Sequence, residues 1–324
     1  MADEFTLADY EAIAPDPLSK GVVKTWRENS SILERLTFKV QNKLSEKFMR
    51  YSTLPSGTWR NIGETFTQVK IEPDFVEERL YFMGNKIDIP REYTMAESIV
   101  NQRAIQTEAY LKAAARGFDE AFFLNTPLVN EKAPVGIFYR IINDCASAQS
   151  VDGAALDIST DTATTTWKTQ LFDLVANMLQ EVDGNDSEKV LYMGKTVYNR
   201  FQSACRNSGL LDTGMDQLGR QFLTYGKGGP AILQAGYKVD QSTQILTDVE
   251  LDDGTAYTGG AASSMYCVRF GEPYVAGWCQ EMPNAVDKGE TEDGVNMRTI
   301  ARFSPGLYII NPRSMARIYG LVAA

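Results

Sequence analysis

Histidine is absent from this chain of 324 residues. With it go the commonest general base at neutral pH, the commonest metal ligand, and every serine or cysteine nucleophile that relies on an imidazole. Acid–base work by carboxylates, lysines or tyrosines stays open. Long apolar runs are missing as well, so no segment reads as membrane-spanning. The opening stretch MADEFTLADYEAIAPDP is acidic, where a secretory signal would be basic and then apolar. The expectation is a chain that stays in the cytosol of the cell that makes it. The four cysteines (Cys145, Cys205, Cys267 and Cys279) form no CxxC pair and read as small buried hydrophobes. Positive charge is in deficit, with 32 Lys and Arg against 42 Asp and Glu, a net charge of −10. Tight binding to nucleic acid needs a basic face that neutralises phosphates, so this balance argues against a broad nucleic-acid grip. It leaves room for a protein that merely sits beside nucleic acid.

What is present suits a globular chain with a real core: 44% of residues are apolar and 23% charged. No repeat of fixed period is visible, and no linker cleanly divides the chain. In DPLSKGVVKTWRE, Asp16 can cap a helix, Pro17 can take its first position, and Val22, Val23 and Trp26 share one side. One short amphipathic helix predicts an arm packed on something else. From about residue 46 to 93 the pattern is β. GETFTQVKIEP and NKIDIP alternate, and ERLYFMGN between them reads as an apolar burst ended by a Gly-Asn turn. Aromatics stand beside charges throughout. A lone β ribbon is marginal in water, so this one is expected to lie on another surface.

The stretch from Ala96 to about Phe123 predicts one long helix of roughly 40 Å. Its stripe is Val100, Ala104, Thr107, Leu111, Ala114, Phe118 and Phe122. Residues 143 to 166 read as a loop or weak strand. Thr166 then opens a second helix, with Trp167, Leu171, Leu174, Val175, Met178 and Val182 on its buried face. KVLYMG is a short apolar strand, and KTVYNRFQSACRNSG a third helix stopped by Gly209. From Gln221 onward strands dominate: PAILQAGYKV, STQILTDVEL, SSMYCVRFG, YVAGWCQ, MRTIARF and GLYIINP.

Four stretches are candidates for chemistry. LYMGKTVYNRF has the strand, Gly194-Lys195-Thr196 and helix order of a phosphate loop, but Lys189 stands where the wrapping glycine is needed. A strand-to-helix turn capped by Thr196 is the better reading. DVELDDG lacks the glycine and glutamate of a calcium loop, since Asp253 and Gly259 stand there. Asp253-Gly254 reads instead as a hairpin turn. DKGETEDG is a solvated acidic loop. In LTYGKGGPAIL, Pro230 and an apolar run follow the glycines, so the loop leads into a strand rather than the helix that phosphate binding needs. Gly226, Gly228 and Gly229 then make a tight turn with Lys227 at its tip.

Taken together, the order of elements resembles the major capsid proteins of tailed bacteriophages of the Hong Kong 97 type. STLPSGTWRNIGETF is similar to the tip of their extended loop, and LYMGKTVYNRF to a strand-and-helix step of their axial domain. LGRQFLTYGKGGPAILQAGY resembles the glycine turn and the strand after it, and NPRSMARIYGL the C-terminal strand. The resemblance implies an α+β fold: an N-terminal arm over 1–45, an extended β loop over 46–93, and a peripheral domain with the spine helix over 94–165. A mainly axial domain over 166–260 and strands completing both domains over 261–324 follow. It implies a structural role, with no cofactor or metal, in an icosahedral shell that encloses double-stranded DNA without gripping it. The implied partners are copies of itself in pentamers and hexamers, a portal and a separate scaffolding protein, with no membrane. The implied location is the virion, after assembly in the host cytoplasm. Residues expected at subunit contacts are Trp26, Tyr51, Trp59, Arg60, Phe75, Tyr81, Phe82 and Lys227. Some members of the family cross-link a loop lysine to an asparagine. Lys70 and Lys86 lie in the right region, but no local motif selects either, so that activity is not carried over. The alternatives are the shell of an encapsulin-like cellular compartment and a soluble enzyme working with carboxylates.

Overall fold

The structure, a computed structural model, describes residues 4–13, 17–50, 57–66, 74–95, 102–159, 166–215, 221–247, 251–252, 255–256 and 262–322. Its largest sheet has seven strands. In spatial order they are Ser150–Asp157, Met315–Val322, Ser263–Arg269, Lys189–Met193, Ala231–Gln234, Gln221–Tyr225 and Leu211–Met215. The expected KVLYM strand lies at its centre, and all five residues are buried because both faces are covered. Side chains alternate along a strand. Val190 and Tyr192 therefore enter one core with the long helix, while Leu191 and Met193 enter a second core. Trp167, Leu171 and Val175 of the helix Thr166–Gln180, and Val197 and Phe201 of the helix Lys195–Asn207, close that second core.

The helix after KVLYM departs from the expected capping. Gly194, not Thr196, is the N-cap, and it offers no side chain. Gln244 Oε1 accepts from the Lys195 amide at 2.7 Å instead. A Cβ on Gly194 would meet the Leu246 carbonyl oxygen, so the passing chain requires glycine there and supplies the cap itself. Consequently STQILTDVEL is no strand over residues 242–247, and only its last residue, Leu251, is in one. Gln244 makes one isolated bridge to Tyr237, and Ile245 and Leu246 are core residues. The stretch read as a loop or weak strand contains the strand Ser150–Asp157, which runs parallel to the C-terminal strand. Leu251–Asp252 and Thr255–Ala256 pair antiparallel, as a hairpin about 253–254 requires, although Asp253 and Gly254 themselves lie outside the described residues. The glycine turn forms as expected at Gly226 and Gly228, whose φ are +76° and +70°, but Gly229 has no positive φ and is glycine because a Cβ there would run into the Tyr225 carbonyl oxygen; the Tyr225 amide donates to the Pro230 carbonyl at 3.0 Å. This turn joins two antiparallel strands of the large sheet.

The described N-terminal residues pack on the chain's own core. Helices Leu7–Ile13 and Pro17–Asn29 bury Leu7, Val22, Val23 and Trp26, and the turn after them adds Ile32, Leu33 and Leu36. Phe38–Val40 then pairs with Val275–Cys279 in a four-stranded sheet completed by Glu4–Phe5 and Pro305–Ile309. The surface that covers the amphipathic stripe is the chain's own: the long helix and Phe303, whose ring lies 5.1 Å from that of Trp26. Asp16 lies outside the described residues.

The long helix is described from Gln102 to Leu124, about 35 Å by its rise. Residues 96–101 lie outside the described residues. Leu111, Ala115, Phe118 and Phe122 are buried at steps of four, three and four, while Ile105 and Tyr110 are exposed. The C-terminal half is thus core, while residues 105–110 are mostly exposed among the described residues. In the loop region, Ser45–Arg50 pairs with Asp74–Arg79, and Met83–Pro90 joins the hairpin of Asn284–Glu290 and Asn296–Phe303. The expected Gly-Asn turn is absent, because Gly84 and Asn85 pair in register with Arg302 and Ala301. A Cβ on Gly84 would meet the Ala301 carbonyl oxygen at 2.7 Å, so this glycine serves close strand approach rather than reversal. DKGETEDG is likewise half strand, and only its second half turns, with the Gly294 amide donating to Thr291 O at 2.8 Å. Glu64, Thr65 and Phe66 are not a strand, and the remainder of that expected strand, 67–71, lies outside the described residues.

Candidate interaction surface

The base of the β ribbon is locked to the body by buried contacts. The Phe48 ring stacks on Tyr308 at 4.2 Å and meets Trp278 edge-on at 6.1 Å. On the partner strand, Glu78 receives both terminal nitrogens of Arg140, at 2.5 and 2.9 Å. Both residues are buried, and Arg140 also donates to the Val135 carbonyl. A planar guanidinium facing a carboxylate in this forked geometry fixes direction as well as distance. The ribbon therefore leaves the body at a defined angle. Met49 and Phe75 lie opposite each other on it, and both are exposed, Phe75 by 60%.

Residues 57–66 form a self-organised turn. The Asn61 amide donates to Glu64 Oε2 at 2.8 Å, the Glu64 amide donates to Asn61 O at 3.2 Å, and Arg60 donates to Glu64 O at 3.0 Å. These bonds from Asn61 hold the Glu64 carboxyl below its usual range. The Arg60 guanidinium also lies 4.4 Å over the Phe66 ring. The polar groups bond one another, and the apolar ones face outward. Trp59 and Ile62 are fully exposed, and Phe66 is 76% exposed. A tryptophan, an isoleucine and a phenylalanine left in water on one short turn make an apolar patch that asks for a partner.

The sequence-derived contact residues divide accordingly. Trp59, Arg60, Phe75 and Phe82 are exposed, and Phe82 rims a cleft of about 320 Å³ lined also by Met83, Glu281 and Arg302. Lys227 is exposed at the glycine turn. Tyr81 is half-buried under the Arg79 guanidinium and belongs to the ribbon's base. Tyr51 lies outside the described residues. Trp26 is a correction: at 2% exposure it is a core residue, because its helix docks on its own chain. Sequence reasoning passed over Ile62 and Phe66, and also Leu128 and Val129, exposed by 95% and 79%. The latter pair stands on a loop held by the buried Asn125 amide, which lies within 3.1 Å of the Asn130, Ala133 and Pro134 carbonyls. The available signal was an apolar pair inside the polar, proline-flanked stretch TPLVNEKAP.

Among the described residues no three His, Cys, Asp or Glu side chains are placed to hold a metal ion, and no helix is long and apolar enough to cross a membrane. Burial pushes the thiols of Cys145, Cys205, Cys267 and Cys279 up to about 12, so they stay protonated at neutral pH. Asp88, bonded by Arg298 across the three-stranded sheet at 2.8 and 3.1 Å, is held down to about 2.

No family model and no curated protein matches the sequence. Solved structures do match the fold. The capsid of a native GTA particle superposes with a TM-score of 0.59 at 11% identity, covering 90% of each chain. The holo-SrpI encapsulin complex from Synechococcus elongatus PCC 7942 gives 0.54 at 13% identity, over 89% of this chain and 86% of that one. The capsid of Myoviridae phage XM1 gives 0.51 at 13%, over 88% and 90%. The likeness spans almost the whole chain, and the fold is the Hong Kong 97-like capsid fold.

Proposed function

We propose that this chain is the major capsid protein of a tailed bacteriophage, which self-assembles from pentamers and hexamers into an icosahedral shell around double-stranded DNA. The observation that carries the reading is an exposed aromatic turn together with a ribbon locked at its base, within a fold shared nearly end to end with shell proteins. A monomeric protein would leave Trp59, Ile62 and Phe66 in water with no return in burial. Copies in a closed symmetric shell would cover them. On this reading the extended loop spans 46–93, the spine helix opens the peripheral domain of 94–165, and the axial domain is mainly 166–260. Residues 261–324 complete both domains. The contact residues are Trp59, Arg60, Phe75, Phe82 and Lys227, with Tyr51 on the loop as well. The virion is the site of action, following assembly in the host cytoplasm with a portal and a separate scaffolding protein.

A second reading, a cellular compartment, is favoured by the superposition on the encapsulin complex. The two differ in cargo. Electron microscopy and nucleic-acid extraction of particles purified from the native source separate them: genome-length DNA supports the phage reading, and a packaged protein without DNA supports the compartment. A chain that stays monomeric at high concentration overturns both.

A further inference from the structure

Helix Lys195–Asn207 has a charge unlike that of the rest of the chain. It carries Lys195, Arg200 and Arg206 and no acid, whereas every other described α-helix carries at least one Asp or Glu. The bias continues past its end. Residues 195–239 hold six cations and two acids, Asp212 and Asp216, inside a chain whose net charge is −10. Val197, Phe201, Ala204 and Cys205 hold one face of the helix in the core. The opposite face runs through Lys195, Asn199, Gln202 and Arg206 at steps of four, three and four, and its two end cations lie about 16 Å apart along the axis. Lys195, Asn199, Ser203 and Arg206 are exposed, and Arg200 beside them is half-buried. The glycine turn brings a fourth cation. The Gly226 amide donates to Leu210 O at 2.7 Å, and the Leu210 amide to Cys205 O at 2.9 Å, so the exposed Lys227 stands close to the last turn of the helix. Flanking elements carry the acids Asp173 and Asp212. Among the described residues neither these nor any other carboxylate forms an ion pair with the four side chains.

We propose that this ridge, Lys195, Arg200 and Arg206 with Lys227, is a local contact for the phosphate backbone of duplex DNA, made without regard to base sequence. The residue types select the partner. Cations interleaved with amides and a hydroxyl are the side chains that position a protein on phosphate and sugar oxygens. No exposed side chain between Lys195 and Asn207 is apolar or aromatic. The centre of a protein–protein interface needs such anchors, and stacking on single-stranded bases needs aromatic rings. A duplex carries one phosphate per about 1.7 Å of its axis, so a ridge of this length meets several at once. Four cations make a weak contact that touches and releases, on a chain whose remaining surface repels DNA. The contact is a property of one chain, and its binding test requires no shell.

Fluorescence anisotropy of the full-length protein with a random duplex of about 30 base pairs, titrated from about 20 to 150 mM salt, tests it. Four neutralised phosphates predict that log Kd rises with log salt at a modest slope of about three to four. Lys195→Gln with Arg206→Gln should lower that slope by about two, and Lys227→Gln alone by about one. Lys20→Gln with Lys24→Gln removes the same charge from the exposed face of helix Pro17–Asn29 and should leave the slope unchanged. Far-UV circular dichroism and particles seen by electron microscopy should match the wild type in all of them. If the double variant on the ridge does not fold, Lys227→Gln, outside the helix, carries the readout. A slope unchanged in the ridge variants, or lowered equally by the Lys20 and Lys24 control, overturns the contact. So does loss of particles at an unchanged slope, which would assign the ridge to an acidic surface of a second copy.

Discussion

Glu78 and Arg140 show how much one side-chain pair decides. Each is almost fully buried, and their forked contact sets the angle at which the ribbon leaves the body. Burying such a pair gives little net stability over a well-packed apolar alternative, but removing one partner strands the other charge in the interior. Glu78→Ala is therefore expected to destabilise the subunit by about 3–5 kcal/mol, read from the midpoint of denaturant unfolding at constant slope. A loss below about 1 kcal/mol would mean that the pair is solvated. Asp119 is the contrasting case, a buried acid that accepts from a serine hydroxyl and has no bonded cation among the described residues.

At the scale of elements, the ribbon divides its tasks between base and tip. The base is closed by Phe48, Tyr308 and Trp278, while the turn over 57–66 satisfies its own polar groups and presents Trp59 and Ile62 to solvent. Exposed side chains that touch nothing in their own chain contribute little to its stability, typically within about 0.5 kcal/mol. The double variant Trp59→Ser, Ile62→Ser should keep the wild-type circular dichroism and thermal midpoint of the subunit and lose assembly into particles by electron microscopy. Normal particles from that variant would remove the tip from the interface. The N-terminal helices behave oppositely, since their apolar stripe is already covered and each large buried side chain adds about 1.5–3 kcal/mol to the fold. They are part of the body, which is why Trp26 makes no outward contact.

For the whole molecule, net charge is the property that reaches furthest. At −10 the subunit should repel duplex DNA over most of its surface. A shell wall that encloses a genome without gripping it would behave this way. Binding of the purified subunit to a random duplex, followed by fluorescence anisotropy, is expected to be weak at physiological salt, with a small salt slope. A tight, steeply salt-dependent affinity would point to a basic face that the net charge hides.

The amino-acid sequence alone determined the local elements: the apolar KVLYM strand, the long helix, the glycine turn after QFLTY, and the lack of histidine. These are legible because period, turn chemistry and composition act over a few neighbouring residues. Tertiary structure decided what covers each apolar stripe and why particular glycines stand where they do. The stripe around Trp26 looked the same whether its partner was another subunit or the long helix of its own chain. Gly84 and Gly194 looked like turn and loop glycines until Ala301 and Leu246 were seen passing beside them. Both outcomes depend on contacts between segments about eighty residues or more apart for Trp26, more than two hundred for Gly84 and about fifty for Gly194. No local pattern encodes which distant surface will arrive.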